Sequence, residues 1–322
     1  MKKKRLFVPV IIIALIFSNL AACSAGDSNT TSDSNQIQNF NETDEIPLTS
    51  DVTETKLPEA TASGENVMSN DKILLDYSNT ADGYVMIKYL GTNSKVKTQF
   101  TCPSGTIYTY NQSLSGEFDV YPLSDGNGSY SISIYENISG KSYARVFSFT
   151  ITVTLKNEFA PFLRSNKFVN YNASSKVVIK SIDICKNKPS ELEKIKTIYE
   201  YVINNFTYDY ELAKTVQSGY IPDLNADMEK RTGICFDYAA IMTAMLRCQG
   251  IPTKLVFGYT GTVYHAWILT YSNETGWINA FIYFNGKEWK LMDPTFASTS
   301  KSSDQIMKYI GNGTNYTTKY IY

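Results

Sequence analysis

Gly233-Ile234-Cys235-Phe236-Asp237-Tyr238-Ala239-Ala240-Ile241-Met242-Thr243-Ala244-Met245-Leu246-Arg247-Cys248-Gln249-Gly250-Ile251-Pro252 is the stretch whose reading decides the fold. Gly233 is a breaker and Cys235 stands where a helix begins. Gly250 and Pro252 bring that helix to a stop. From Ala239 to Cys248 only Thr243 and Arg247 are polar, so the helix is apolar almost all round. Such helices lie inside a core rather than on its surface. The result is a thiol at the N-terminus of a buried helix. Unpaired backbone N–H groups and the positive end of the helix dipole both favour thiolate there.

On the C-terminal side, Lys254–Tyr259, Tyr264–Tyr271, Trp277–Phe284 and Glu288–Met292 read as strands. The turns between them are Gly261-Thr262, Asn273-Glu274-Thr275-Gly276 and Asn285-Gly286. An Asn-Gly pair between apolar runs is a hairpin signal. On the N-terminal side, Val178, Ile182 and Cys185 sketch a weak helix. Ser190 and Glu193 form a capping box for a stronger one, in which Leu192, Ile195, Tyr199, Val202 and Phe206 recur at helical steps. Thr207-Tyr208-Asp209-Tyr210 follows, and then an irregular stretch leads to Gly233. Helices first and an antiparallel sheet afterwards make an α+β domain over residues 157–322.

Between residues 67 and 156 the hydrophobic period is two. Tyr84–Leu90, Lys95–Thr101, Thr106–Tyr110, Glu117–Tyr121, Tyr130–Tyr135 and Tyr143–Leu155 are expected strands, and Asp125-Gly126-Asn127-Gly128 is a strong turn. Six or seven short strands at this spacing predict a small antiparallel sandwich of immunoglobulin-like type. No cluster of exposed aromatics or charges marks a binding face on it, which makes it a spacer on this reading.

The chain opens with a charged Met1–Arg5 segment and an apolar Leu6–Leu20 segment, too short to span a bilayer. It reaches Leu20-Ala21-Ala22-Cys23, which is similar to the lipobox of bacterial lipoproteins. Residues 1–22 are thus expected to be a removed leader, with Cys23 lipidated as the first mature residue. Residues 23–66 are rich in Ser, Thr, Asn, Asp and Glu without apolar periodicity, and they read as a flexible polar tether. A coil of that length spans about 40 Å.

The 322 residues suffice for two domains, and 43% hydrophobic content suffices for real cores. The 30 basic residues nearly balance the 31 acidic ones, and four of the basic ones lie in the leader. No basic patch is present, which argues against nucleic acid as a partner. Five cysteines occur without a C-x-x-C pair, so zinc and thioredoxin-like chemistry lack support.

The single histidine is His265, in Tyr264-His265-Ala266-Trp267. Any mechanism that needs imidazole must use it. Asp293 ends the Glu288–Met292 run before Pro294. Taken alone it would be a turn former. Together, Cys235, His265 and Asp293 fit one device, in which a thiol attacks a carbonyl, an imidazole handles the proton and a carboxylate orients the imidazole.

The order and setting of these residues resemble the transglutaminase-like superfamily, whose core is related to papain-like thiol enzymes. The matching pieces are Gly233 and Cys235, Ala239-Ala240, Leu246–Pro252, Val256-Phe257-Gly258-Tyr259, His265-Ala266-Trp267, and Trp289 with Asp293-Pro294-Thr295. The resemblance implies a catalytic triad with Cys235 as nucleophile, His265 as base and acid, and Asp293 as orienter. It also implies an oxyanion held partly by the Cys235 backbone N–H. Animal members add an upstream Trp indole. Here Trp267, Trp277 and Trp289 all follow Cys235, and Tyr208 is a candidate substitute for the oxyanion donor. Animal members use calcium, but no D-x-[DN]-x-[DN]-G loop is found here, and neither a metal nor a cofactor is expected.

The expected activity is thiol acyl transfer on protein or peptide amide bonds at the cell surface, as a cysteine peptidase or amidase, with the cell wall as one setting for the substrate. The alternatives are a protein-crosslinking transglutaminase and a non-catalytic scaffold lipoprotein that keeps the fold without the chemistry. The lipobox yields a direct test. Metabolic labelling with a fatty acid should mark the mature chain and be abolished by Cys23→Ala. Label that persists in that variant would refute the anchor.

Overall fold

The structure is a computed structural model that describes residues 57–279, 282–284, 289–291 and 316–322. The leader, Cys23 and most of the tether lie outside the described residues, as do Asp293 and the Asn285-Gly286 turn. The first strands are β1 (Val67–Ser69), β2 (Ile73–Asp76), β3 (Tyr84–Tyr89), β4 (Val96–Thr101), β5 (Ile107–Asn111), β6 (Asp119–Pro122), β7 (Gly128–Ser139) and β8 (Ser142–Val153). They form two antiparallel four-stranded sheets, in the orders β1-β2-β3-β6 and β5-β4-β7-β8. Alternation drives the packing. In β4 the buried residues are Val96, Thr98 and Phe100, and in β5 they are Tyr108 and Tyr110. Aromatics fill the space between the sheets. The Phe100 and Tyr121 rings are 5.3 Å apart and the Tyr110 and Tyr121 rings 4.8 Å apart, and the Tyr121 hydroxyl donates to Gln112 Oε1 at 2.8 Å. The tyrosine excess is therefore partly core material whose hydroxyls find buried acceptors.

The remaining elements begin with α1 (Lys176–Cys185), α2 (Glu191–Asn205), β9 (Thr207–Tyr208), α3 (Tyr210–Thr215), α4 (Leu224–Lys230) and β10 (Thr232–Gly233). They continue with α5 (Cys235–Arg247), β11 (Thr253–Thr260), β12 (Val263–Ser272), β13 (Gly276–Asn279), β14 (Ile282–Phe284), β15 (Trp289–Leu291) and β16 (Tyr316–Ile321). The second half is thus α+β, with the antiparallel order β13-β12-β11-β16 packed on α5. The capping box of α2 is formed: Ser190 Oγ accepts from the Glu193 N–H at 3.2 Å, and Glu193 Oε2 accepts from the Ser190 N–H at 3.4 Å.

The stretch from Tyr210 to Gly233, expected to be irregular, holds two short helices. Both have acidic N-caps. Asp209 accepts from the Leu212 N–H at 2.7 Å, and Asp223 accepts from Asn225 and Ala226 at 3.1 Å each. With 6 and 7 residues they are too short for helical periodicity to reveal them. β16 lies outside the strands that the sequence predicts. It pairs antiparallel with β11, placing Tyr320 opposite Phe257.

The central helix behaves as its sequence predicts. Every residue from Phe236 to Arg247 is buried. Thr243 resolves its polarity by donating to the Ala239 carbonyl at 2.7 Å. The helix ends with the Ile251 N–H on the Leu246 carbonyl at 3.1 Å and the Gly250 N–H on the Arg247 carbonyl at 2.9 Å, with Gly250 at φ 75°. These two bonds define a Schellman stop, for which glycine's freedom at positive φ is needed. Arg247 is fully buried, and no Asp or Glu side chain among the described residues pairs with it. Its guanidinium donates to the carbonyl oxygens of Arg164 at 2.6 Å, Thr253 at 2.7 and 2.9 Å, and Tyr322 at 2.9 Å. Burial pulls its pKa down to about 10. Five donors in a fixed fork can gather several carbonyls at once, so this side chain ties the C-terminal end of α5 to β11, to the segment before α1 and to the end of β16.

Candidate active site

Cys235 is the first residue of α5 and the one residue of that helix that is not buried. Its position is set from behind by Asp237. Asp237 Oδ2 accepts from the Ile234 N–H at 2.6 Å, satisfying a donor at the helix start, and Oδ1 accepts from the Tyr220 hydroxyl at 2.7 Å. Gly233 is required by that arrangement. A Cβ at Gly233 would lie 2.6 Å from the Asp237 Cβ and 2.7 Å from Oδ2. Gly233 also belongs to the two-residue parallel bridge in which it faces Tyr208, and its carbonyl accepts from the Asp209 N–H at 2.9 Å. The chain enters this bridge through Arg231, whose left-handed φ of 53° caps α4 and whose carbonyl accepts from the Thr207 N–H at 3.0 Å. Tyr208 and Cys235 are thereby held beside each other.

His265 sits on β12 opposite Gly258 of β11. A Cβ at Gly258 would meet the Thr317 carbonyl at 2.0 Å and the Trp267 ring at 2.7 Å. Glycine there lets β16 and Trp267 close against the sheet beside the imidazole. The rings of His265 and Trp267 stack at 6.2 Å, and His265 is 6.3 Å from the Tyr316 ring. The imidazole is buried, at 5% exposure.

Cys235, His265 and Tyr208 all line one cavity of about 640 Å³. The structure therefore brings together three of the four residues that the sequence assigns to chemistry, and Asp293 lies outside the described residues. The cavity also has members that sequence reasoning passed over. Phe236, Phe257, Tyr264 and Tyr320 give it aromatic walls. Tyr264, next to His265, has its phenol pushed up to about 12 by burial, with neighbouring tyrosines and Cys235 adding to the effect. Lys97, Thr109, Tyr110 and Asn111 bring the β-sandwich to the site, so that domain does more than space. In sequence the signal for these residues was only local, because strand alternation says which side chains point inward but not which edge faces another domain.

The other cysteines differ from Cys235. Cys102, Cys185 and Cys248 are buried, and desolvation raises their thiols to about 12, 11 and 11. All four described cysteines are free. Among the described residues no group of three or more His, Cys, Asp or Glu side chains is placed to hold a metal.

Residues 181–281 match the model of the transglutaminase-like superfamily. One relative is the uncharacterized protein YebA of Bacillus subtilis (strain 168), 27% identical over an alignment of 138 residues that covers 37% of this chain and 17% of YebA. This chain thus spans a small part of that relative. Two solved structures are similar. A candidate cysteine protease from Cytophaga hutchinsonii is 14% identical, with 73% of this chain and 76% of that one covered and a TM-score of 0.35. The periplasmic domain of TgpA from Pseudomonas aeruginosa is 13% identical, with 68% and 91% covered and a TM-score of 0.31.

Behind the thiol lies a buried acidic pair. Asp237 is raised by burial, against the pull of its hydrogen bonds from Tyr220 and Ile234. Asp227 is pushed up to about 7, first by burial and then by Asp237 and Asp223, and its Oδ2 has no hydrogen-bond partner among the described residues. An unfolded Asp ionises near 3.8, so between that value and about 7 the folded state holds a proton that the unfolded state has lost. Stability attributable to this group is therefore present at low pH and lost as pH rises through that window. The margin by which Asp227→Asn melts above wild type should be small near pH 4 and widen as pH rises through 7. A gap independent of pH, measured by thermal melts across this range, would refute the assignment.

Proposed function

We propose that this protein is a thiol acyl-transfer enzyme that hydrolyses amide bonds in proteins or peptides, held at the outer face of the cell membrane by lipid on Cys23. The observation that carries the proposal is the meeting of Cys235, at a helix start, with His265 and Tyr208 on one cavity. The Cys235 sulfur adds to the carbonyl carbon, with His265 holding the thiol proton as Asp293 fixes the ring's orientation. The oxyanion is stabilised by the Cys235 N–H and the Tyr208 hydroxyl. Collapse breaks the C–N bond, His265 gives the proton to the departing amine, and a thioester remains on Cys235. Water, deprotonated by His265, then adds to the thioester and releases a carboxylic acid and the free thiol.

An amine in place of that water would give transamidation. The cavity favours water for a physical reason. Lys97, which makes no ion pair among the described residues, lines it, and no Asp or Glu among them does. A lysine acceptor would approach like charge with no carboxylate to draw it in.

The test is trapping of the acyl-enzyme. Wild-type protein incubated with a blocked peptide library and quenched in acid should carry added mass on Cys235, and Cys235→Ala should carry none. Asp293→Asn should turn over at least about a hundredfold more slowly with an unchanged melt, because it disturbs orientation of the ring rather than packing. A library that is consumed equally by Cys235→Ala would refute the reading.

A further inference from the structure

Part of the cavity wall belongs to the β-sandwich. We infer that Lys97 on this wall binds a carboxylate of the peptide substrate, carried on an acidic side chain or at a free chain terminus. The inference rests on the peptide-hydrolase reading and adds its substrate class.

Geometry comes first. β5 is an edge strand, and Lys97 of β4 stands opposite Asn111 of β5. The Lys97 ammonium donates to Asn111 Oδ1. The other domain comes up against Asn111, because Gly219, at φ 95°, approaches so closely that a Cβ there would clash with Asn111 Nδ2. The segment between α3 and α4 thus closes on the sandwich edge, and the ammonium is presented to the cavity at a defined place rather than left on a mobile stem.

Charge makes the second argument. Lys72, Lys156, Lys167 and Lys176 each face a carboxylate within ion-pair distance. Lys167 is the other lysine on the cavity and is neutralised by Asp119 at 2.7 Å, with Ser113 Oγ at 2.8 Å. Lys97 is half-buried and makes no ion pair among the described residues, while no carboxylate among them lines the cavity. An unneutralised cation beside aromatic walls has a field stronger than it would have in open water. A cavity of about 640 Å³ is in the range that holds a short run of residues. The complementary ligand is a peptide with a negative group a short distance from the amide under attack and an apolar body against Phe257 and Tyr320.

The test reads binding, not turnover. Cys235 in the full mature chain is alkylated with iodoacetamide in the presence of blocked pentapeptide amide pools with a central Glu, Gln or Lys. A fourth pool has a central Gln and a free terminal carboxylate. The Glu pool, or the free-carboxylate pool if the terminus is the source, should give half-protection at about fivefold lower concentration than the Gln amide pool. That advantage should shrink with added salt, vanish in Lys97→Met and survive in Lys97→Arg. Equal protection by the Gln amide or Lys pool, no protection by any pool, or a preference that persists in Lys97→Met would overturn the inference. A carboxylate preference that behaves as expected in a protein that forms no acyl-enzyme would sink the hydrolase reading and leave the carboxylate site standing.

Discussion

The whole second half of the chain depends on burying α5. Twelve consecutive residues, Phe236–Arg247, are inaccessible, and Cys235 alone breaks the rule at the N-terminal end. A helix apolar all round has no solvent face, so other elements must surround it. α1, α2 and α4 pack on it with the sheet of β11 and β12. Burial also makes the thiol's position rigid. A residue at the start of a fully encased helix moves only if the core moves.

Both ends of that helix are secured by buried polar groups. At the C-terminal end Arg247 gathers the carbonyls of Arg164, Thr253 and Tyr322. Losing the guanidinium would strand buried acceptors at about 1–3 kcal/mol each, a large fraction of a typical domain's stability. At the N-terminal end the carboxyl of Asp237 holds Ile234 and Tyr220, and Gly233 leaves room for it. The same close approach that requires Gly233 sets the entry angle of the chain into Cys235. Packing and chemistry are one constraint here. The sandwich joins it through Tyr108, whose ring meets those of Tyr320 and Tyr322 at 5.2 and 5.4 Å.

Much of this was legible in the sequence because it is local. Gly233, the apolar run and the Gly250 stop specify α5, and period-two alternation specifies strands such as β4 and β5. Cys235 and His265 could be singled out by residue type and setting, since the chain has one histidine. What could not be read is non-local. Asp227 becomes unusual only when the fold buries it near Asp237 and Asp223, and Lys97 only when the α3–α4 segment closes on Asn111. α3 and α4 escaped because six or seven residues carry caps but too little periodicity.

The central claim is that Cys235 is a reactive thiol served by His265, unlike the three buried thiols around it. Limiting iodoacetamide at mildly acidic pH, followed by peptide mapping, tests it most directly. Cys102, Cys185 and Cys248, raised by burial to about 12, 11 and 11, should stay unlabelled while Cys235 reacts. His265→Ala should slow the labelling of Cys235 in a chain that still melts cooperatively, at a lower temperature because a buried ring is lost. Labelling of Cys102, Cys185 or Cys248 ahead of Cys235, or a rate at Cys235 indifferent to His265→Ala, would contradict the account.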